Sequence, residues 1–411
     1  MSASNAFCAL RQSTFGIFVT LIVSFSVAGS AVAEPTALVD GPEFVDVFVP
    51  KQDGFPAIRI PSLICAQDGT LVAFAEGRQG GDHSGNVMLC KRSSDQGSTW
   101  SSAEVIARRE GLAINNPQAL VLDSGRVLLM YQVNRLGEFK AQPGYGPDSY
   151  QTFVLHSDDH GKTWSEPRDV SRQVKRAERV TSVASGPGIG IVLRRGPHRG
   201  RILMPMNQGP FGDWRVYAAI SDDAGETWTM GDVAPEDPSS EKRQGHANEV
   251  QFAELSDGRV YLNARTQGTG NTKRRKIALS EDGGQTWCPL RDDDHLIEPT
   301  CQASLLRFDP VHLKQQSLEQ TASSTQTGKP CLLFLNPAST KARDTGTLRI
   351  SRDDGQTWQD VMPIYAGGFA YSCMTQLTNG DLGVLFEADG YRRIVFGRIA
   401  ADKIVQATTG E

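Results

Sequence analysis

The side chains best placed for chemistry are arginines set at the ends of apolar runs. Arg59 stands directly before Ile60, Pro61, Ser62, Leu63 and Ile64, and Arg265 closes the run Val260, Tyr261, Leu262, Asn263, Ala264. Most of the 42 Lys and Arg residues belong to a solvated surface, where register is irrelevant. A guanidinium at the mouth of a strand can instead fork a carboxylate through paired charge-assisted hydrogen bonds. Asp82 follows Gly80 and Gly81, a context that serves a turn as readily as a proton transfer. Tyr371 fits an amphipathic core position equally well. Metal chemistry has no support: Cys65, Cys90, Cys288, Cys301, Cys331 and Cys373 include no CxxC pair or zinc spacing. Disulfide pairing among them stays open.

These residues are scattered, so the elements that gather them matter more than local spacing. One octapeptide, S-x-D-x-G-x-T-W, recurs from Ser93, Ser157, Ser221, Ser280 and Ser351, at intervals of 64, 64, 59 and 71 residues. Such intervals match one four-stranded unit with its loops, repeated radially or in tandem. The motif predicts a hairpin turn in which Asp95, Asp159, Asp223, Asp282 and Asp353 fold onto backbone amides and the following glycine supplies positive φ. Trp100, Trp164, Trp228, Trp287 and Trp358 are then expected to pack between sheets. Five equivalent aspartates cannot share one catalytic role.

Short alternating strands flank the motifs, and helical periodicity is nearly absent. Five motif-bearing units plus a C-terminal unit at 365–404 predict an all-β, six-bladed β-propeller with four-stranded antiparallel blades. Residues 44–50 are expected to add a closing strand to the last blade. The stretches 137–150 and 309–330 read as loops, the first overhanging a site and the second a solvated insertion.

The five octapeptides resemble the Asp-boxes of the sialidase family, and the segments between them make the resemblance specific. Ile58-Arg59-Ile60-Pro61 resembles the family's first arginine motif, and Arg265 and Arg343 fall at the places of the second and third. The resemblance implies that Arg59, Arg265 and Arg343 grip the carboxylate of sialic acid, with Glu387 orienting Arg59. It implies Tyr371 as nucleophile and Asp82 as general acid and base, with Arg78 on the substrate side. Glu249, in a segment similar to animal sialidases in particular, becomes the base that takes the tyrosine proton. Asn116 and Gln302 sit in segments resembling pocket walls, where each amide would touch substrate or satisfy backbone groups. Gly186-Pro187-Gly188 is another such segment. Ile58 stands where the family often has Phe or Tyr, and the last unit lacks an Asp-box.

Composition bounds the rest. A formal net charge of -5 with mixed signs excludes the basic stripe a nucleic acid requires. Arg11, the apolar run 15–29 and Ala31-Val32-Ala33 predict a cleaved signal peptide at 1–33 and export, secreted or periplasmic, with no membrane span afterwards. Residues 34–411 are then expected to form the catalytic propeller, acting as a monomer on sialylated glycans with no metal or organic cofactor. The function implied is a retaining exo-α-sialidase. Two other readings fit the same residues: a non-catalytic glycan-binding propeller, and a trans-sialidase or hydrolase of a related nonulosonic acid.

Overall fold

The computed structural model describes residues 43–409 apart from 138–140, 179, 211, 238–244 and 311–328. The expected leader at 1–33 and most of the 309–330 insertion therefore lie outside the described residues. The described chain is all-β. Among the described residues, no helix is long and apolar enough to cross a membrane.

The first sheet is the meander Ala57–Cys65, Leu71–Arg78, Val87–Ser93 and Glu104–Ala107. The second runs Leu112–Val121, Val127–Arg135, Gln151–Ser157 and Arg168–Asp169, and adds Gly188–Ile189 in parallel against the first of these. The third uses Ser182–Ser185, Ile202–Gly209, Arg215–Ser221 and Thr229–Met230, with Ile191–Val192 also on Ile202–Gly209. His246–Glu254, Val260–Gln267, Arg274–Ser280 and Arg291–Ile297 make the fourth. Seven strands form the last sheet, in the order Phe44–Phe48, Arg393–Ile399, Leu382–Ala388, Gln359–Gln376, Asp344–Ser351, Cys331–Pro337, Ser304–Phe308.

Among the described residues hydrogen bonding thus gives five sheets where the repeat predicts six separate blades. The cause is the 18-residue strand Gln359–Gln376. It pairs with Asp344–Ser351 as far as Gly368 and with Leu382–Ala388 from Phe369 onward, so the last two units share it. The expected closing strand is present: Phe44–Phe48 lies antiparallel on Arg393–Ile399, with Phe44 opposite Gly397.

Strands such as Leu71–Arg78, Ile202–Gly209 and Leu382–Ala388 are buried at every residue. Covered on both faces, they are mostly apolar with a polar group near the end, which overrides the alternation read from sequence. The five octapeptides form the predicted turns. In the first, Asp95 Oδ1 accepts from Thr99 N at 2.9 Å and Oδ2 from Thr99 Oγ1 at 2.6 Å, while Ser93 Oγ accepts from Gly97 N at 2.9 Å. The other four repeat this set. Each box glycine is left-handed and seats on the preceding sheet: Gly161 on Val72, Gly225 on Leu128, Gly284 on Leu203 and Gly355 on Tyr261. Gly97, in the first sheet, seats on Phe396 of the last. Trp164 meets Phe74 and Trp100 meets Phe396 edge-on, both across sheets. The six cysteines among the described residues are free thiols.

Three buried glutamines, two from different sheets and Gln302 from the segment just before Ser304–Phe308, converge on the segment Gly186-Pro187. Gln118 Nε2 donates to Gly186 O at 2.5 Å, Gln251 Nε2 to Gly186 O at 3.0 Å, and Gln302 Nε2 to Pro187 O at 2.9 Å. A Cβ on Gly186 would lie 1.8 Å from Val250 O, so only glycine fits. This segment is a central tie rather than the pocket wall its motif suggests.

Candidate active site

Four of the strands that begin a unit carry a bulge near the same end, between Arg59 and Ser62, Asn115 and Gln118, Asn248 and Val250, and Phe369 and Ser372. A bulge re-aims the side chains beside it, and these are the stretches that hold Arg59, Asn116, Glu249 and Tyr371. Ile60, Asn116 and Glu249 adopt φ of 63°, 56° and 41°, a left-handed conformation that costs non-glycine residues about 1–3 kcal/mol. Side-chain oxygens hold each of their amides. Ile60 N donates to Glu387 at 2.8 Å, Asn116 N to Glu76 at 2.6 Å and Glu249 N to Asn248 at 2.8 Å.

The three arginines gather around Tyr371. Arg59 Nε and Nη2 donate to the two oxygens of Glu387 at 2.5 and 3.1 Å. Burial works against the Arg59 charge, but Glu387 more than offsets it and raises the guanidinium above its ordinary value. Arg265 Nη1 donates to Glu249 Oε2 at 2.6 Å and to the Tyr371 hydroxyl at 3.0 Å. Its Nε is buried without a hydrogen-bond partner among the described residues. Arg343 donates to Thr300 O at 2.8 Å and to the Tyr391 hydroxyl at 3.1 Å. The Arg59 and Arg343 guanidinium carbons lie 5.5 and 5.4 Å from the Tyr371 ring centre.

Tyr371 is itself buried, on a small cluster with Ile60, Cys301 and Ala370. Its hydroxyl donates to Glu249 Oε1 and its amide to Glu387 Oε2 at 3.2 Å. Burial first, and then the Glu249 charge, push the phenol well above 10, against the pull of Arg265 and Arg343. The phenol is therefore neutral at rest and its proton already points at a carboxylate, the arrangement of a nucleophile with its base.

Asp82 lies on the loop after Leu71–Arg78, with a 68% exposed side chain. Arg78 Nη1 donates to it, and Arg78 Nε donates to the fully buried Glu76 at 2.8 Å. Partial burial raises the Asp82 carboxyl, but Arg78 outweighs that and lowers it below the ordinary value. Burial raises Glu76 despite Arg78. The Asp82 carbonyl accepts from Asn86 Nδ2 at 2.6 Å and Asn115 Nδ2 at 2.9 Å, so the loop is pinned while the carboxylate stays open to solvent.

Every candidate except Gln302 falls at this site or on its frame. Gln302 is buried and spends its amide on Pro187 O, Ser372 O and Ser372 N, which corrects its substrate-contact reading to the backbone-tie one. Asn116 is held through its main chain, its carbonyl accepting from Ser185 Oγ at 2.6 Å. The sequence reading missed Glu76 and Tyr391. An acid in the middle of the apolar run Leu71–Arg78 must be paired, and that was the signal for Glu76. Nothing local marks Tyr391. Among the described residues no group of three or more His, Cys, Asp or Glu is placed to hold a metal.

A profile of the BNR repeat-like domain matches residues 69–384. A sialidase of Micromonospora viridifaciens is 34% identical over 356 residues, covering 83% of this chain and 51% of that protein. Sialidase-2 of Cricetulus griseus is 26% identical over 373 residues, covering 84% and 92% respectively. The solved structure of Hadza microbial sialidase Hz136 superposes with a TM-score of 0.73 at 25% identity, over 87% of this chain and 68% of that one. The chain spans only 51% and 61% of the Micromonospora and Bacteroides fragilis sialidases.

Proposed function

Because the chain belongs to the BNR repeat-like domain family, we propose that it is a retaining exo-α-sialidase acting through a tyrosyl intermediate. A charge imbalance carries the reading. Three guanidinium charges, on Arg59, Arg265 and Arg343, face two carboxylates, Glu387 and Glu249, and Arg343 pairs with no acid among the described residues. The arginine cluster around Tyr371, with one cation in excess of its own two carboxylates and an unpartnered Arg265 Nε, is complementary to one carboxylate. Sialic acid bears that carboxylate on its anomeric carbon.

With the carboxylate held, the Tyr371 oxygen attacks the anomeric carbon as its proton passes to Glu249. Asp82 protonates the departing glycosidic oxygen, and the C–O bond to the aglycone breaks. Asp82 then takes a proton from water, whose oxygen displaces Tyr371, and Glu249 returns the phenolic proton. A neutral phenol suits this substrate, since a carboxylate nucleophile would be repelled by the sugar's own carboxylate. Sialidases with a tyrosine nucleophile are a known exception among glycosidases.

The wider architecture is read as a six-bladed propeller. Counting the seven-stranded sheet as two four-stranded units that share Gln359–Gln376 gives the sixth blade. The seating of each Asp-box on the preceding sheet, and of the first on the last, supports a ring. The reading includes export through the leader at 1–33 and sialylated glycans as substrates.

Tyr371→Phe is expected to lower turnover of a fluorogenic sialoside by about 10³-fold or more while leaving circular dichroism unchanged. NMR of the wild-type reaction should show the retained anomer first. Full activity in the variant, or inversion in the wild type, overturns the reading.

A further inference from the structure

Tyr391 stands in a turn that is costly to build. Asp389, Gly390 and Tyr391 are successively left-handed, with φ of 54°, 68° and 69°, and two of the three carry side chains that disfavour that region. The turn is held from several directions. Asp389 N donates to Gly368 O at 2.9 Å, Tyr365 Oη donates to Asp389 Oδ1 at 2.7 Å and Arg393 Nε to Asp389 Oδ2 at 2.9 Å. Arg393 in turn reaches Asp46 at 3.0 Å, on the closing strand. So many fixings around a strained turn imply that its product, the placement of Tyr391, has a use.

That placement joins two of the three arginines. The Arg59 guanidinium carbon lies 3.7 Å from the centre of the Tyr391 ring, and the Tyr391 hydroxyl accepts from Arg343 Nη1 at 3.1 Å. Glu387 fixes Arg59 along one edge, and the ring fixes its plane. Thr300 O fixes one nitrogen of Arg343, and the phenol fixes another. Among the described residues Arg343 has no carboxylate partner, so without Tyr391 it would keep one backbone acceptor and a rotatable plane.

We infer that Tyr391 is a positioning residue of the carboxylate clamp, setting the Arg59 plane through its ring face and the Arg343 fork through its hydroxyl before substrate arrives. The inference rests on the sialidase reading above. Its effect belongs to carboxylate binding and not to bond cleavage, because the clamp holds the same group in ground and transition states.

The test is calorimetric binding of the 2,3-didehydro analogue of sialic acid, as free acid and as methyl ester, to wild type, Tyr391→Phe and Tyr391→Ala. Tyr391→Phe keeps the stack and removes the hydroxyl, and is expected to weaken the acid about tenfold. Tyr391→Ala removes both contacts and is expected to weaken it by about a further tenfold. Binding of the ester should change less than about twofold, and sialoside KM should rise with kcat nearly constant. If wild type binds acid and ester alike, the sialidase reading itself fails. If wild type prefers the acid and the variants lose acid and ester equally, or lose neither, Tyr391 is a structural residue and the inference falls.

Discussion

The Asp-box turns and the central cluster use the same groups, carboxylates accepting from nearby donors, in opposite ways. In each box the partners lie two to four residues apart, as in Asp353 with Ser351 Oγ, Thr357 N and Thr357 Oγ1. The turn satisfies itself, and exposed Asp95 and partly exposed Asp159 are lowered to about 2, Asp95 first by the Thr99 hydroxyl and Asp159 first by the Thr163 hydroxyl. At the centre Glu387 serves Arg59 from 328 positions away, and Glu249 meets Tyr371 from 122. Glu387 is buried and Glu249 largely so, and each ties one unit to another. A carboxylate whose partners are local makes a module that can be copied five times; one whose partners are remote can exist only once, where the units meet.

Glu387→Gln should give the largest effect. It leaves the half-buried Arg59 without its charge partner at the buried position 387, and weakens the holds on Ile60 N and Tyr371 N. Breaking a buried pair costs about 3–5 kcal/mol, read from the urea midpoint, and sialoside kcat/KM should fall with it. Asp353→Ala removes acceptors only at an exposed turn, so a loss of about 1 kcal/mol is expected with kcat/KM within about twofold of wild type. A larger activity loss in Asp353→Ala than in Glu387→Gln would break the comparison.

The smallest effect concerns acid. Asp95 and Asp159 have folded values below the ordinary carboxylate range. Their contribution to stability is therefore complete above about pH 4 and is lost as pH falls through about 2. Glu76, and Glu298 that is buried against Arg275 at 2.8 Å, are raised by burial despite their arginine partners and have the opposite sign, since protonation relieves them. The urea midpoint should drop between pH 4 and 2, and the double variant Asp95→Asn, Asp159→Asn should flatten that drop. An unchanged slope would mean that the boxes contribute nothing through their charge.

The same division explains what the sequence disclosed. Asp-box turns, their left-handed glycines and the closing strand at Phe44–Phe48 were legible because each is encoded within a few residues or by repetition. Arg59 and Arg265 stood out by their register at strand ends, whereas the roles proposed for them and for Arg343, Tyr371, Glu249 and Asp82 came only through resemblance, since no spacing rule links positions so far apart. Tyr391 was not legible at all, because its meaning lies in a strained turn and two guanidinium groups brought from remote positions of the chain. The shared strand Gln359–Gln376 was missed because nothing in a pattern of strands says where hydrogen bonding passes from one neighbour to the next.

The pairing of Phe44 with Gly397 has a consequence for how the protein is assembled. It spans 353 positions, 397 less 44, and contacts that non-local form late because chain entropy is lost before they return any energy. Until Phe44–Phe48 arrives, the strand Arg393–Ile399 presents an open row of amides and carbonyls, and an open edge accepts a strand from any chain that offers one. The concentration of neighbouring copies thus competes with the protein's own first strand, and a weakened Phe44–Phe48 will exchange between molecules before the core gives way.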